Sequence, residues 1–187
     1  MATVQKHRYS ITEYLAFDDG SDIKHQFLNG EIFAMTGASP THNLLVGNLV
    51  RELGNRLKQR PCLVYPSDLR LRVERTGLHT YPDVTVCCGT PRFDGNTVLN
   101  PLLIVEVLSE STEAYDRGKK FAHYRQIESL RQYLLVNQDA RMAELFTWRD
   151  DGEWLLEVFD SPDDVISLTS LDCELPLTEI YDKVDLA

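Results

Sequence analysis

Three side chains in the middle of the chain have the types and spacing for chemistry on a phosphate: Asp83, Glu106 and Lys120. Asp83 follows a proline at the head of one predicted strand, and Glu106 lies inside the next long one. Neighbouring strands would bring the two carboxylates together, and converging acids repel each other unless a cation lies between them. Mg²⁺ is commonly held by one or two carboxylates together with waters and substrate phosphate. The pair therefore predicts a divalent cation site.

Glu106 is the one acid in the apolar run LLIVEVL at 102 to 108. Such a run is typical of a strand covered on both faces, where an ionised carboxylate without a partner costs several kcal/mol. One interpretation is that a metal ion shared with Asp83 compensates it. The other is that a buried arginine or lysine neutralises it as a structural ion pair. The residues alone leave both interpretations open.

Lys120 lies on the helix that is predicted after the strand of Glu106. An ammonium beside such a site can orient a water or stabilise charge that develops on a phosphate. Two acids and an amine beside Mg²⁺ or Mn²⁺ suit the hydrolysis of a phosphodiester.

The elements before the site include one hairpin and one long helix. Ser10 and Glu13 have capping-box spacing and open a short helix. Asn29-Gly30 separates two alternating stretches and predicts strands at about 23 to 28 and 31 to 36. Leucines at helical spacing after Ser39-Pro40 predict a helix from about Pro40 to Lys58.

The remaining segments predict a sheet with helices around it. Strands are expected at 68 to 74, 82 to 88 and 102 to 108, with RTGLHT as a turn between the first two. A helix follows in SESTEAYDRGKKFAHYRQI, then a strand in RQYLLVNQ, a hairpin of AELFTW and EWLLEVF, a short strand and a helix-like LTEIYDKV. The order predicts one α/β domain over residues 1 to 187, with a central mixed β-sheet flanked by helices.

Composition limits the compartment and the partners. No apolar stretch approaches a membrane span and MATVQKHRYS lacks a secretory core, so a cytoplasmic protein without a membrane partner is expected.

The four cysteines lack zinc-binding spacing and are expected to be buried free thiols. The net charge is −10, but residues 137 to 187 hold 14 acids and 3 bases. The 15 acids and 16 bases before them permit a nucleic-acid site there.

Several motifs resemble those of a known family. YPDVTV, IVEVLSESTEAYDRGKKFAHYRQIESLRQYLLVNQD, FLNGEIFAMTGASPTHN and PSDLRLRV are similar to the Uma-two family of restriction-endonuclease-like proteins, within the PD-(D/E)XK nuclease superfamily. The similarity covers roughly residues 8 to 160. It implies a restriction-endonuclease-like fold and a metal-dependent endonuclease that acts on nucleic acid, with DNA as the expected substrate.

Carried over by motif, the superfamily's metal-binding acids fall on Asp83 and Glu106, with the main-chain carbonyl of Val107 as a further ligand. Lys120 takes the lysine role. Many superfamily members carry that lysine two residues after the glutamate, where this chain has Leu108. This family resembles those in which the lysine has moved to the following helix.

Three further residues match family positions and are assigned supporting roles. Gln26 stands where family members often have a glutamate before the hairpin turn. Either activity is reduced or lost because that acid is neutral here, or Gln26 is an ordinary strand residue. His42 begins the long helix and faces the acids or a phosphate, or is an ordinary helix-face histidine. Asp68 either approaches the metal or is a solvent-face acid of its strand. Tyr124 is interpreted as core rather than catalytic, since it follows Phe121 at helical spacing.

Two functions follow as hypotheses. The first is a Mg²⁺- or Mn²⁺-dependent endonuclease; the second is a catalytically inactive nuclease-fold module that dimerises or binds a protein or nucleic-acid partner. A homodimer is expected in either case, through apolar strands such as YLLVNQ and ELFTW. Cationic residues in the first part of the chain either line a nucleic-acid groove or are solvated surface charges: Arg51, Arg56, Lys58, Arg60, Arg70, Arg72 and Arg75.

Overall fold

The computed structural model describes residues 7–35 and 37–186. The helices are α1 (Ile11–Asp19), α2 (Pro40–Leu57), α3 (Glu113–Tyr115), a π-helical turn (Asp116–Lys120), α4 (Phe121–Tyr124), a 3₁₀ turn (Thr169–Leu171) and α5 (Leu177–Ile180). The first eight strands are β1 (His25–Leu28), β2 (Glu31–Ala34), β3 (Cys62–Pro66), β4 (Arg70–Val73), β5 (Leu78–Thr80), β6 (Val84–Cys88), β7 (Phe93–Asp94) and β8 (Thr97–Val98). The others are β9 (Leu103–Leu108), β10 (Gln132–Asn137), β11 (Ala143–Trp148), β12 (Trp154–Phe159), β13 (Val165–Leu168) and β14 (Cys173–Pro176).

The larger core surrounds a six-stranded mixed sheet with the order β12-β11-β10-β9-β6-β3. Strands β9 and β10 pair in parallel, and the other neighbours are antiparallel. The chain between β9 and β10 holds α3, the π-helical turn and α4, because parallel neighbours need a crossover connection. This is the central mixed sheet that the order of elements predicts.

The alternation of β9 divides the core into two layers. Leu103, Val105 and Val107 face the layer that contains the leucine stripe of α2. Ile104 and Leu108 face the opposite layer, which also contains residues of α4 and the strand β10. Side chains alternate faces along a strand, so Glu106 lies on the α4 side of the sheet.

A second sheet of six short strands, ordered β2-β1-β5-β4-β8-β7, carries the Asn29-Gly30 hairpin. Asn29 and Gly30 have φ values of 51° and 81°, as the favoured two-residue hairpin turn requires. The predicted hairpin is confirmed, although its strands are shorter than expected and the predicted end at Thr36 lies outside the described residues. The two remaining strands, β13 and β14, form a separate antiparallel pair.

The prediction of a turn over RTGLHT is wrong in its second half. A turn closes at Gly77, whose amide donates to the carbonyl of Val73 at 2.8 Å, but Leu78–Thr80 forms the buried strand β5. The strand was not predicted because His79 and Thr80 are polar residues, which are more typical of a solvated turn. In the structure both side chains are buried.

The cysteine prediction is wrong for two of the four residues. Cys62 and Cys88 are partners in the β3–β6 pairing and form a disulfide, whereas Cys87 and Cys173 are free. Strand β3 itself was not predicted, so no pattern placed Cys62 beside Cys88.

The helix predicted after β9 is interrupted. Residues Asp116–Lys120 form a π-helical turn between the short helices α3 and α4, and Gly118 lies at its centre. None of the helices in the described ranges combines the length and apolarity that a membrane span needs.

Candidate active site

Glu106 lies in the interior of the central sheet. It is 3% exposed, and β9 has β6 on one side and β10 on the other. The β6–β9 register ends at the pair Val84 and Val105, so the next pair along the strands is Asp83 and Glu106. The predicted convergence of the two acids on neighbouring strands agrees with this register.

Two side chains from the crossover reach Glu106. The Nζ atom of Lys120 lies 2.9 Å from Oε1 of Glu106, and the hydroxyl of Tyr124 donates to the same oxygen at 2.7 Å. Lys120 and Tyr124 are four residues apart and project to the same side of the crossover. Within the described ranges no hydrogen bond reaches Oε2 of Glu106. Tyr124 is part of the core as predicted, but its hydroxyl also belongs to the site.

Burial and the neighbouring charges together set the pKa values of Glu106, Lys120 and Tyr124. It raises the pKa of Glu106 to about 8; Lys120 opposes this rise, while Asp116 and Asp83 add to it. Burial also acts to lower the pKa of Lys120, but the carboxylates of Glu106 and Asp116 outweigh it and the pKa is raised. The pKa of Tyr124 is raised well above 10, first by burial and then by Glu106. Lys120 is therefore an ammonium, and Tyr124 keeps its donor proton.

Asp83 is fixed from two directions. Its Oδ2 accepts the main-chain amide of Val107 at 2.8 Å, beyond the end of the β6–β9 pairing. The Nε2 atom of His42 lies 3.3 Å from the same oxygen. His42 is in the first turn of α2, where the Ser39 hydroxyl caps its amide, so the helix start aims the ring at Asp83. Of its two predicted positions, His42 occupies the one that faces the acids.

Asp116 is a further buried charge. It is the acid of the D-x-x-x-K spacing that ends at Lys120, within the sequence that resembles the family, but no role was assigned to it from the sequence. It is 3% exposed, and its Oδ1 lies 3.0 Å from Nζ of Lys120. Its main-chain carbonyl accepts the hydroxyl of Tyr133 at 3.2 Å. The four-residue spacing from Lys120 was a usable signal, since side chains at that spacing on a helix are neighbours.

The donor set of this cluster fits a divalent cation. The carboxylates of Glu106 and Asp116 contact the ammonium of Lys120, and Asp83 adds a longer-range charge. Three acids and one ammonium leave an excess of negative charge in a largely buried site. A proton on Glu106 or a bound cation reduces that excess. In the described part of the chain no three His, Cys, Asp or Glu residues form a group that could hold a metal ion. Mg²⁺ does not need such a group, because it is usually bound by one or two carboxylates with waters and phosphate.

Gln26 lies beside the crossover rather than on a solvated strand face. Its Nε2 donates to the hydroxyl of Tyr115, and its Oε1 accepts the hydroxyl of Thr80 at 3.3 Å. Tyr115 precedes Asp116, so the amide links the second sheet to the segment that holds Lys120.

Asp68 is not brought to this cluster. Its side chain is 87% exposed and pairs with Nζ of Lys24 at 2.7 Å. Strand β4 begins only at Arg70, so Asp68 lies in a turn and not on the strand that was expected to carry it towards the acids. Of its two predicted positions, Asp68 occupies the solvent-exposed one in this structure, paired with Lys24 and not with the acids of the cluster.

The proposed cationic groove is largely committed to other contacts. Arg70 is buried and pairs with Asp18 and Asp19. Four more of the seven cations also form ion pairs: Arg51, Arg56, Arg60 and Arg72. Arg70 is therefore excluded from such a groove. The ion pairs of the partly exposed Arg51 and Arg60 are weak surface contacts, so a nucleic-acid groove along these residues stays a prediction.

Comparisons with known proteins agree with this architecture. Residues 11–178 match the family model described as "Uma2: Putative restriction endonuclease". A crystal structure titled a "putative nuclease belonging to DUF820" from Anabaena variabilis superposes with a TM-score of 0.75 at 19% identity, over 91% of this chain and 96% of that one. At that identity the likeness shows the fold alone, and it confirms the predicted restriction-endonuclease-like α/β fold.

Two relatives come from Synechocystis sp., and both are described as uncharacterized. The protein slr1290 is 36% identical over 176 residues, covering 93% of this chain and 92% of that protein. The protein sll1609 is 39% identical over 147 residues, covering 77% and 83%. With the match over nearly its whole length, the chain belongs to the Uma2 family of restriction-endonuclease-like proteins.

Proposed function

We propose that this protein is a Mg²⁺- or Mn²⁺-dependent endonuclease that hydrolyses phosphodiester bonds in nucleic acid, DNA foremost. The observation that carries the proposal is the position of two carboxylates on neighbouring strands. Glu106 is buried and follows the last β6–β9 pair, Val84 and Val105, so it lies opposite Asp83. The amide of Val107 fixes the side chain of Asp83. Asp83 and Glu106 would hold the metal, with the carbonyl of Val107 as a further ligand. A bound divalent cation supplies a Lewis acid that lowers the pKa of a water and neutralises phosphate charge.

The protein's own groups have separate tasks in this proposal. Lys120 remains protonated because Glu106 and Asp116 raise its pKa, so it orients a water or stabilises developing negative charge rather than accepting a proton. The amide of Val107 and the ring of His42 hold Asp83 in one orientation. Tyr124 holds Oε1 of Glu106.

The test is metal-dependent cleavage of a supercoiled plasmid and of a labelled RNA by the purified protein. Glu106→Gln and Asp83→Asn should each lower the cleavage rate by at least about a hundredfold. Substitution of residues that only hydrogen-bond to metal ligands already lowers metal affinity or activity by about ten- to a hundredfold. Glu157→Gln, which removes an exposed carboxylate on β12, should cleave like the natural protein. Absence of metal-dependent cleavage of either substrate, or full activity of Glu106→Gln, would overturn the proposal.

A second candidate is a catalytically inactive nuclease-fold module that binds a partner. Two observations favour it: Lys120 already compensates Glu106, and Gln26 is neutral where family members often have an acid. Calorimetric titration with Mn²⁺ separates the candidates. Stoichiometric binding that is lost in Asp83→Asn supports the enzyme, and absence of binding supports the module.

A homodimer and a cytoplasmic location stay predictions, but the dimer surface changes. The strands expected to form it, β10 and β11, each have neighbours on both sides, because β12 covers β11. The edge strand β12 exposes Leu155, Leu156 and Val158, and β3, the other edge strand of this sheet, exposes Leu63. Sedimentation of the purified protein tests the oligomeric state.

A further inference from the structure

We propose that Asp116 is a positioning residue: it holds the ammonium of Lys120 so that Glu106 remains available to a divalent cation. This inference rests on the proposed function, because it assumes that Glu106 is a metal ligand. Asp116 lies in the D-x-x-x-K spacing of the sequence that resembles the family, but the resemblance was used to assign a role only to its lysine. The inference comes from the contacts of the Asp116 carboxylate.

Asp116 and Lys120 depend on each other for compensation. Both are buried, at 3% and 5% exposure, and Oδ1 of Asp116 lies 3.0 Å from Nζ. Among the described residues no hydrogen bond reaches this Oδ1, so the ammonium is what compensates it. A buried charge without a partner is strongly destabilising, and the pair is therefore expected to stay together.

The backbone fixes Asp116 independently of its side chain. The residue opens the π-helical turn that Lys120 closes, and its amide donates to the carbonyl of Thr112 at 2.9 Å. The buried hydroxyl of Tyr133 donates to its carbonyl at 3.2 Å. Single π-helical turns within helices are frequent at functional sites, where they re-aim side chains. Here the turn carries both members of the ion pair.

Lys120 has two carboxylate partners, and they differ in their proposed tasks. Glu106 would bind the metal, and its electrostatic attraction for the ammonium of Lys120 would then be weaker. Asp116 is not a proposed ligand and can keep the ammonium in place. Without it, Lys120 would have Glu106 as its remaining carboxylate partner and would compete with the metal for that side chain.

The experiment is a double-mutant cycle of Asp116→Asn and Lys120→Gln, read by calorimetric titration with Mn²⁺. Asp116→Asn should weaken Mn²⁺ binding about tenfold when Lys120 is present, the size expected for one charge-assisted contact. In the Lys120→Gln background the same substitution should change the affinity by less than about twofold. Glu113→Gln, which removes a carboxylate from the neighbouring helix α3, is the matched control and should bind like the natural protein.

A carboxylate that acts only through its own charge on the ion would weaken binding by the same factor in both backgrounds. That result, or unchanged binding in Asp116→Asn, would overturn the positioning role. Absence of Mn²⁺ binding by the natural protein would instead overturn the proposed function.

Urea unfolding of the same four proteins in chelator tests the contact without metal. The loss of urea midpoint in the double variant should be smaller than the sum of the two single losses, because both substitutions remove the same Asp116–Lys120 contact. Strictly additive losses would overturn the inference. If Asp116→Asn alone does not fold, refolding of the double variant supports the dependence, whereas failure of both contradicts it.

Discussion

The Nζ atom of Lys120 lies 2.9 Å from Oε1 of Glu106 inside the central sheet, with both side chains almost fully buried. The acid in the apolar run is thus compensated by a lysine from the crossover, and this lysine is one that the family motif marks as functional. The ion pair and the metal site are therefore not exclusive interpretations. A cation would join a cluster in which acids outnumber the ammonium.

The pH dependence of stability should change when Glu106 is replaced by glutamine. Burial raises the pKa of Glu106 to about 8, above its value of about 4.3 in an unfolded chain. The folded state therefore binds the proton of Glu106 more tightly than the unfolded chain does. This tighter proton binding contributes fully to the free energy of unfolding below about pH 4.3, and the contribution is lost as the pH rises through 8.

Glu106→Gln has no such titration, so in chelator its free energy of unfolding should increase relative to the natural protein between pH 4.5 and 8. Urea unfolding at several pH values measures the difference. Parallel pH profiles of the two proteins would contradict the raised pKa. Glu157→Gln is the control, because its carboxylate is exposed on β12.

Restoring an acid at position 26 should strengthen metal binding. Gln26 bonds to Tyr115 and Thr80, and a glutamate can accept both hydroxyl protons without a change of size. The pKa of Tyr115 is raised first by burial, and Lys120 and Glu106 also influence it, so this position shares the electrostatic environment of the site.

Gln26→Glu should therefore bind Mn²⁺ several-fold more tightly in calorimetry, as an added negative charge favours the cation. Gln59→Glu adds the same charge at an exposed position after α2 and should leave the affinity unchanged. Equal affinity of Gln26→Glu and the natural protein would mean that the family's acid at this position does not act on the metal.

The sequence was sufficient where a short pattern determines a local structure. Asn29-Gly30 predicted the hairpin because both residues tolerate the positive φ values that its turn requires. Leu45, Leu49 and Leu53 predicted α2, and all three are buried against the sheet. The apolar run predicted β9, and the anomaly of an acid within it pointed to the site.

Tertiary contacts were beyond such patterns. The sequence placed Asp116 four residues before Lys120 but did not predict their buried ion pair. That contact depends on the π-helical turn and on Lys120 pointing inward, and neither follows from helical periodicity. Strand β3 was missed because its edge position leaves its residues partly exposed, without clear alternation. The disulfide between Cys62 and Cys88 could not be predicted without strand β3, because the β3–β6 pairing is what brings the two cysteines together.

The disulfide should contribute measurably to stability. It joins residues 26 apart in sequence, and a closed loop of that size is worth about 3.5 kcal/mol in the chain-entropy description. Protein purified without reductant and then unfolded should show two reactive thiols, from Cys87 and Cys173. Reduction should lower the urea midpoint of the natural protein and leave that of Cys62→Ser unchanged. Four reactive thiols in the unreduced protein would contradict the disulfide.

Asp18 should make the protein sensitive to acid at a place distant in sequence from Glu106. Its buried carboxylate accepts the hydroxyl of Tyr81 at 2.6 Å, the amide of His25 at 2.8 Å and the guanidinium of Arg70 at 2.8 Å. Burial acts to raise the pKa of Asp18, but these partners outweigh it and the pKa is lowered. The stability that this implies is present above the unfolded value of about 3.9 and is lost as the pH falls through the folded value.

Asp18→Asn should cost about 3 kcal/mol of unfolding free energy at pH 7, since it leaves the buried guanidinium of Arg70 with fewer partners. The difference from the natural protein should begin to shrink below about pH 3.9, where the carboxylate binds a proton in the unfolded chain, and should be lost as the pH falls through the lower folded pKa. Urea unfolding across this range measures it, with Asp22→Asn as the control because Asp22 is exposed. A difference that stays constant down to pH 2 would mean that Asp18 contributes through packing and not through its charge.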